Sequence, residues 1–396
     1  MSDVWDISVE AEENIYNWKD KPLIQEAKKN THGDYVHLDL FSGCGGFSEG
    51  FNQAGFTTNL AIDIHPPSLK TLQFNHPEAT AVCGDIRKIF SDLFLDFLPK
   101  SKNPIVITAG VPCQGFSLSN RKRHADDKRN FLFKEFIRIT KDINPDAVVL
   151  ENVSGLVSAG GGTFKKDISK AIEELGYHVN FSILDAADYG VPQRRRRIFF
   201  VGVKKNSNWL FPKKTHGVSL KTYNTVKDAI LGDLPTLKAK QSSDKYTREP
   251  ISEYELYLRE RSKKLTSHQA PNHPDETILK ISNTKPGKPM YPKFKQRIRL
   301  RSSDLSPTQI CGGIRPQFQF GHPTQARGLT IRERARIQSF PDKYYFFGGI
   351  VQGRVQTGNA VPPLVAKALA EQIIKHLNGK RLIGIEPEAP QMELAI

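Results

Sequence analysis

The residue in this chain best suited by type and setting to nucleophilic chemistry is Cys113, within Gly-Val-Pro-Cys-Gln-Gly-Phe-Ser at positions 110–117. Pro112 fixes the backbone approach to it, and the apolar run Ile105-Val106-Ile107 reads as a buried strand. Cys113 then stands just past a strand's carboxyl end, where open α/β sheets place their chemistry. Taken alone, a Pro-Cys pair describes a packed loop thiol at least as well, since free cysteine behaves as a small hydrophobe. Three other segments favour the nucleophile.

Asp39-Leu40-Phe41-Ser42-Gly43-Cys44-Gly45-Gly46-Phe47 reads as a strand ending in a glycine-rich turn that opens a helix, a form that lets a ligand approach the backbone. Ser48 holds the place of the third glycine of G-x-G-x-x-G, which disfavours a pyrophosphate cradle. Asp63 follows Leu60-Ala61-Ile62 and lies 20 residues beyond Gly43, suited to accept hydrogen bonds from a ribose. Gly84-Asp85-Ile86 ends a third apolar run with a carboxylate and an apolar side chain. Each acid singly is equally a helix cap, but successive strand ends so equipped describe a site for an adenosine without a pyrophosphate. Glu151 ends the apolar strand Ala147-Val148-Val149-Leu150, either as a cap or as an acid able to donate a proton from a desolvated position. Gln193-Arg194-Arg195-Arg196-Arg197 runs directly into the apolar Ile198-Phe199-Phe200-Val201. Period-two alternation puts Arg195 and Arg197 on one face, aimed at the site, and leaves Arg194 and Arg196 wet or on phosphates.

With these residues in this order, the chain resembles the cytosine-C5 DNA methyltransferases. The likeness spans about residues 36–201 and 323–377. It rests on Pro112-Cys113-Gln114, Glu151-Asn152-Val153, Gln193 to Arg197, the Arg332-to-Pro341 block and Gly358-Asn359-Ala360-Val361-Pro362-Pro363. The resemblance implies that Phe41, Ser42, Gly43, Gly45, Gly46, Asp63, Ile64, Asp85 and Ile86 bind S-adenosylmethionine, with Asn359 and Ala360 completing the pocket. It implies that Cys113 is the nucleophile, that Glu151 contacts the base and that Arg195 and Arg197 support it. Where the family commonly carries Glu followed by an aromatic residue, this chain has Asp63 and Ile64. Adenine stacking is therefore expected to be weaker or to come from elsewhere.

The implied chemistry accounts for the residue types. Carbon 5 of cytosine is a poor nucleophile, so a thiolate adds to carbon 6 while an acid donates toward N3, and the resulting enamine takes the methyl group. Arg197, with Arg195, donates to O2 as the ring loses aromaticity. The base that removes the carbon 5 proton is not identified by the sequence. A thiolate at Cys113 calls for a nearby cation or helix amino terminus, and the target base must be flipped out of a duplex.

A formal net charge of +15 and a pI near 9.5 suit a nucleic-acid partner. Arg121-Lys122-Arg123-His124, broken soon after by Asp126 and Asp127, reads as a loop closing over duplex DNA, with Gln114 and Ser117 among the DNA-binding residues. Arg297, Arg299 and Arg301 alternate as on an edge strand with outward arginines for phosphates. Gln309, Arg315, Gln317 and Gln319, around Gly312-Gly313, are the candidates for reading bases. The cysteines Cys44, Cys83, Cys113 and Cys311 and the 11 histidines show no metal-ligand spacing, so no metal is expected. Met1-Ser2-Asp3-Val4-Trp5 starts no signal peptide, and no apolar stretch approaches the roughly 20 residues of a membrane helix. A soluble, cytoplasmic monomer is the expectation, functionally paired with a restriction endonuclease.

The fold class expected is α/β: a Rossmann-like S-adenosylmethionine-dependent methyltransferase sheet with a second, smaller target-recognition domain. Residues 1–35 form an amino-terminal extension, 36–203 the catalytic domain of alternating strands and helices, 204–350 the recognition domain and 351–396 a segment returning to the first domain. Helices are expected over residues 131–143, 164–175, 226–231, 253–264 and 364–377, and over 331–338 behind a Thr330/Glu333 capping box. Two rivals stand beside this reading. A transfer-RNA methyltransferase of the same fold usually carries Cys-Phe-Thr in its recognition part, which is not found here. A non-catalytic DNA-binding protein would not need Cys113, Glu151, Arg197 and Asn359 together.

Overall fold

The computed structural model describes residues 22–28, 33–90, 92–98, 102–112, 132–204, 209–260, 262–311 and 319–387. Its centre is an eight-stranded sheet built from β1 (Leu23–Gln25), β2 (Tyr35–Leu40), β3 (Phe56–Asp63), β4 (Thr80–Cys83), β5 (Ile105–Gly110), β6 (Ala147–Val153), β7 (His178–Asp185) and β8 (Arg196–Val203). The spatial order is β1-β4-β3-β2-β5-β6-β8-β7. Strands β2 to β6 run parallel to their neighbours among themselves, β8 is antiparallel to β6 and β7, and β1 is antiparallel to β4. The short edge strand β1 lies in the segment read from sequence as an amino-terminal extension.

β5 and β6 are apolar almost throughout because both faces of the sheet are covered, whereas β2 buries His37 and Asp39 within it. On one face, Phe136, Ile139 and Ile143 of α4 (Leu132–Ile143) and Ile168 and Ile172 of α5 (Thr163–Glu173) join Leu38, Ile107 and Val148. The short α3 (Asp92–Asp96) adds Phe94 to that layer. On the other, α1 (Gly46–Ala54) and the carboxyl-terminal α11 (Pro363–Leu377) pack together, with Phe47, Phe51, Leu369 and Ile373 against Val149 and Phe199. Their contact is backbone-close. A Cβ at Gly46 would stand 2.2 Å from the Val361 carbonyl oxygen, so this glycine serves the approach of residue 361. Helix α2 (Pro66–Asn75) covers β3 and β4 through Leu69 and Leu72.

The chain's direction across the sheet reverses between β2 and β5, which creates a crevice at their carboxyl ends. Beneath it, the buried Asp39 carboxylate accepts from Thr108 Oγ1 at 2.9 Å, Ser48 Oγ at 2.7 Å and Ser48 N at 3.2 Å, tying β5 and α1 to β2. Burial raises the Asp39 pKa to about 6, against those hydrogen bonds.

Beyond β8 the chain builds a second core. Val226 and Ile230 of α6 (Val226–Ile230), Tyr254 and Leu258 of α7 (Glu253–Arg259), Leu300, Phe320 and Ile337 meet there. The pieces β9 (Phe211–Pro212), α8 (Asp275–Asn283), β10 (Ile298–Arg299), β11 (Phe320–Gly321), α9 (Ile331–Ile337), α10 (Gly349–Asn359) and β12 (Gly384–Ile385) complete the described chain. β9 pairs with β12, so the last described strand returns to the first one after the sheet. Helix α9 starts at the expected capping box: Glu333 N donates to Thr330 Oγ1 and Thr330 N to Glu333 Oε2.

Candidate active site

The adenosine side of the crevice is built from three adjacent strand ends. Phe41, half-buried, turns the chain with φ at 54°. Ser42 N donates to the Ile62 carbonyl at 2.9 Å, and Gly43 N donates to Asp63 Oδ2 at 2.8 Å. Asp63 Oδ1 accepts from His65 N at 2.8 Å. Burial raises the Asp63 pKa, opposed by the His65 ring and these N–H groups. A carboxylate carries about four acceptor directions, so two backbone bonds leave capacity for ribose hydroxyls. Gly43 has nothing within 4 Å of the position a Cβ would take, and Ile64, next to Asp63 in the chain, is 49% exposed. An open glycine turn with a carboxylate held beside it fits the adenosyl part of S-adenosylmethionine.

Asp85, expected to serve the cofactor pocket, is engaged by the protein itself. It caps the short turn Ile86–Lys88 and is paired with the Arg87 guanidinium, Nε to Oδ1 at 2.9 Å. Ile86 is buried in the core.

The reactive side lies one and two strands further on. Gly110 at the end of β5 is opposite Glu151 of β6. A Cβ at Gly110 would meet the Phe41 carbonyl oxygen at 3.7 Å and Glu151 Oε2 at 4.0 Å, so the cradle and the carboxylate converge on this point. Arg197 of β8 is opposite Val153 and reaches diagonally to Glu151, with Nε 3.0 Å from Oε1. Burial lowers the Arg197 pKa, and Glu151 works against that shift. Asn152, quoted from sequence only as part of the motif, donates from Nδ2 to the Val111 carbonyl at 3.3 Å and accepts from Val153 N at 2.8 Å. It anchors the backbone two residues before Cys113. Cys113 itself, with Gln114, Ser117, Arg121, Arg123, Arg315 and Gln317, lies outside the described residues.

The arginine run splits by face as expected: Arg195 and Arg197 are covered, while the side chain of Arg194 is 50% exposed and Arg196 is exposed. Their depths and partners differ. Arg195 precedes β8, and its guanidinium donates to the carbonyls of Gln309 at 3.1 Å, Gly358 at 3.1 Å and Asn359 at 3.4 Å. Burial and the neighbouring Arg197 charge bring its pKa down to about 9. It braces α10 and the 309 segment, and the Glu151 charge, which pairs directly with Arg197, also reaches it and opposes that lowering. Asn359 is exposed at the end of α10, and the Ala360 carbonyl accepts from Gln338 Nε2 at 2.6 Å.

Three further expectations are corrected. Arg299 does not face outward: its guanidinium donates to the carbonyls of Ile281, Ser282, Thr284 and His322. Arg297 lies over the Phe294 ring at 4.5 Å, while Arg301 remains exposed and near Asp304 at 3.6 Å. Gln309 is buried and donates from Nε2 to the Arg334 carbonyl at 2.8 Å, and Gln319 is likewise turned inward. Side chains committed to the protein's own backbone do not read bases.

A parallel sheet with this strand order, an adenosine cradle at its reversal and an antiparallel last hairpin defines an S-adenosylmethionine-dependent methyltransferase. The family model for C-5 cytosine-specific DNA methylase matches residues 35–375. Over 352 residues the chain is 38% identical to the Type II methyltransferase M1.HphI of Haemophilus parahaemolyticus, covering 86% of this chain and 87% of that one. It is 35% identical to the Type II methyltransferase M.DdeI of Desulfomicrobium norvegicum, covering 88% and 90%. The crystal structure of a putative DNA modification methyltransferase encoded within a prophage of E. coli superposes with a TM-score of 0.72 at 27% identity, covering 87% of this chain and 99% of that one. The chain belongs to the C-5 cytosine-specific DNA methylases and is a DNA cytosine methyltransferase of the Type II kind. No helix among the described residues is long and apolar enough to cross a membrane.

Proposed function

We propose that this enzyme methylates carbon 5 of one cytosine, flipped from duplex DNA, within one short sequence, through a covalent bond from Cys113 to carbon 6. The observation that carries the assignment of roles is the Glu151–Arg197 pair, 3.0 Å apart, beside the exit of the strand that leads to Cys113. S-adenosylmethionine, held by Phe41, Ser42, Gly43, Asp63 and Ile64 with Asn359 and Ala360 nearby, supplies an electrophilic methyl group. Cys113 adds as thiolate to carbon 6, while Glu151 gives its proton toward N3. Arg197, whose Nη1 also donates to the Arg196 carbonyl at 2.8 Å, then steadies the carboxylate so formed, and its N–H groups not engaged there stabilise the charge growing at O2. Once carbon 5 carries the methyl group, its proton passes to a base, the freed electron pair re-forms the ring double bond and expels the Cys113 thiolate from carbon 6, and N3 gives its proton back to the Glu151 carboxylate.

Arg121, Arg123 and Arg301 supply phosphate contacts, Gln114 and Ser117 flank the extruded base, and Arg315 and Gln317 read neighbouring bases. A monomer in the cytoplasm, protecting DNA against a paired endonuclease, suits these parts. The test is to incubate the protein with S-adenosylmethionine and mixed-sequence duplex DNA, with transfer RNA in parallel, and map 5-methylcytosine at single-base resolution. Methylation at one DNA motif, abolished in C113S with S-adenosylmethionine binding retained within a few-fold, is the expected result. Methylation confined to transfer RNA, or turnover retained in C113S, would overturn it.

A further inference from the structure

Seven arginines are buried among the described residues, and six of them find acceptors within the chain. Arg195, Arg332 and Arg334 donate to carbonyls, Arg327 and Arg336 to buried carboxylates, and Arg259 to the Arg248 carbonyl. The seventh is Arg354 of α10, 8% exposed, whose guanidinium makes neither a hydrogen bond nor an ion pair with any described residue. A covered arginine is ordinarily paired, because taking an unpaired charge out of water is costly. The tip of this one is not sealed in. Arg195 Nε is fully buried without a partner, whereas no nitrogen of Arg354 is in that state. Its stem is covered while its charged end keeps access to solvent, ready for an anion that arrives from outside.

The surroundings offer it no negative charge. Burial lowers the Arg354 pKa to about 10, and no carboxylate works against that shift as Glu151 does at Arg197. The groups that feel its charge are Arg334, brought down to about 9 by burial and then by Arg354, and His273, brought down to about 4 by burial, Arg354 and Arg327. Arg334 is already engaged with Thr357 Oγ1 and the Ile310 carbonyl, each at 3.0 Å, and His273 Nε2 accepts from Gly328 N at 3.1 Å. Residues 273 and 328 belong to the part of the chain beyond the sheet, so Arg354 stands where α10 meets that part. One helical turn later the Gly358 carbonyl accepts from Arg195 Nη1 at 3.1 Å, and a Cβ at Gly358 would lie 2.4 Å from Cys311 N. The helix that carries the unpaired cation is therefore fixed to the start of β8, where Arg197 meets Glu151.

We propose that Arg354 binds a backbone phosphate of the duplex and so anchors the DNA to α10. The inference rests on the reading of duplex DNA as the substrate. Arg354 stands outside the basic runs that mark phosphate contacts in the sequence, and its lack of a partner is what singles it out. The planar guanidinium matches two phosphate oxygens at once. Such a contact carries no base information; it sets where the duplex lies relative to the crevice.

The test uses the full chain with a labelled duplex carrying the mapped motif, an unrelated duplex, inorganic phosphate, and motif duplexes in which one phosphate at a time is a neutral methylphosphonate. R354Q is expected to weaken binding of both duplexes by about tenfold at about 0.1 M salt, to reduce the slope of log Kd against log salt by about 1 and to leave S-adenosylmethionine affinity within about twofold. Methylphosphonate at one position should weaken the wild type by about tenfold and R354Q by less than about twofold. R354K should keep the slope and lose part of the affinity, and it carries the test if R354Q does not fold: its loss at that methylphosphonate should be smaller than the wild-type loss. A variant that merely lowers Tm, with the wild-type salt slope and the wild-type methylphosphonate profile, overturns the contact. Stabilisation of the wild type but not of R354Q by inorganic phosphate, at equal duplex affinity, gives the site to a free anion and overturns it as well. If the wild type neither binds nor methylates duplex DNA, the reading of the substrate falls and the inference with it.

Discussion

Two arginine-rich segments of this enzyme, Arg194 to Arg197 at the start of β8 and Arg332 to Arg336 in α9, look alike in composition and end in different surroundings. In the first, burial alternates, and the innermost pair divides between bracing carbonyls and meeting Glu151. In α9 every arginine is buried. Arg332 donates to the carbonyls of Thr266, Pro341 and Tyr344, Arg334 to Thr357 Oγ1 and the Ile310 carbonyl, and Arg336 to Asp233 and Asp342. A guanidinium with all its donors engaged by the protein holds elements in place. One left with donors toward a crevice can act on a substrate. What separates the two is the supply of partners, since arginine offers five donors wherever it lies.

The comparison is broken most severely at Arg336. Replacing it by alanine leaves the buried Asp233 and Asp342 without their shared cation, and unfolding in urea should show a loss of about 3–5 kcal/mol. Wild-type stability in R336A would mean that the α9 network does not hold the second core. At Arg197 the expected damage is to the reaction. R197A should lower kcat by about 10²–10³ with S-adenosylmethionine affinity within a few-fold, and R197K should fall between, because lysine keeps the charge without the planar fork. Equal losses in binding and turnover would remove Arg197 from the site.

A pH titration of stability sharpens the contrast further. Burial pushes His322 down to about 4, against the opposing pull of Glu333, and its Nδ1 accepts from the backbone N–H groups of Thr324 and Gln325. The folded state therefore resists its protonation. Stability should be fully present above about pH 6.5 and fall as pH drops toward 4, by up to about 3 kcal/mol from this one group. H322N, which retains an acceptor, should flatten that part of a urea-midpoint profile; an unchanged slope would assign the loss to the other buried histidines. The smallest effect belongs to Arg194, whose half-exposed ion pair with Asp185 at 3.1 Å is worth about 1 kcal/mol or less. R194A should leave the melting temperature almost unmoved.

Much of the crevice was legible because its strands are covered on both faces: β5 and β6 are apolar almost throughout, and the chemistry stands where the apolar runs end. The capping box of α9 and the apolar spacing of α11 were equally local signals. Helix α10 was not, since Gly-Gly-Ile-Val-Gln-Gly-Arg-Val-Gln-Thr-Gly-Asn from 348 to 359 argues against a helix by propensity. The reason for Gly358 is tertiary, the backbone of residues 310 and 311 lying against it. Alternation gave the faces of Arg195 and Arg197 but not their partners, because Arg195 stands before the strand begins. Gln309 and Gln319 have the side chains of base readers, and only the fold shows two backbone segments claiming their amides first. β1 is three residues long and takes its identity wholly from β4.

The packing of α11 on α1 has a bearing on the order of events during synthesis. The surface that presses residue 361 onto Gly46 and covers Phe47 and Phe51 is translated after every other part of the crevice. A nascent chain that has emerged through residue 350 already carries the cradle turn, Cys113, Glu151, the arginine run and residues 311–319, but not the helix that completes the first core. The first core, and the support it gives to the Gly43–Gly46 turn, is therefore closed only when the last long helix has been made.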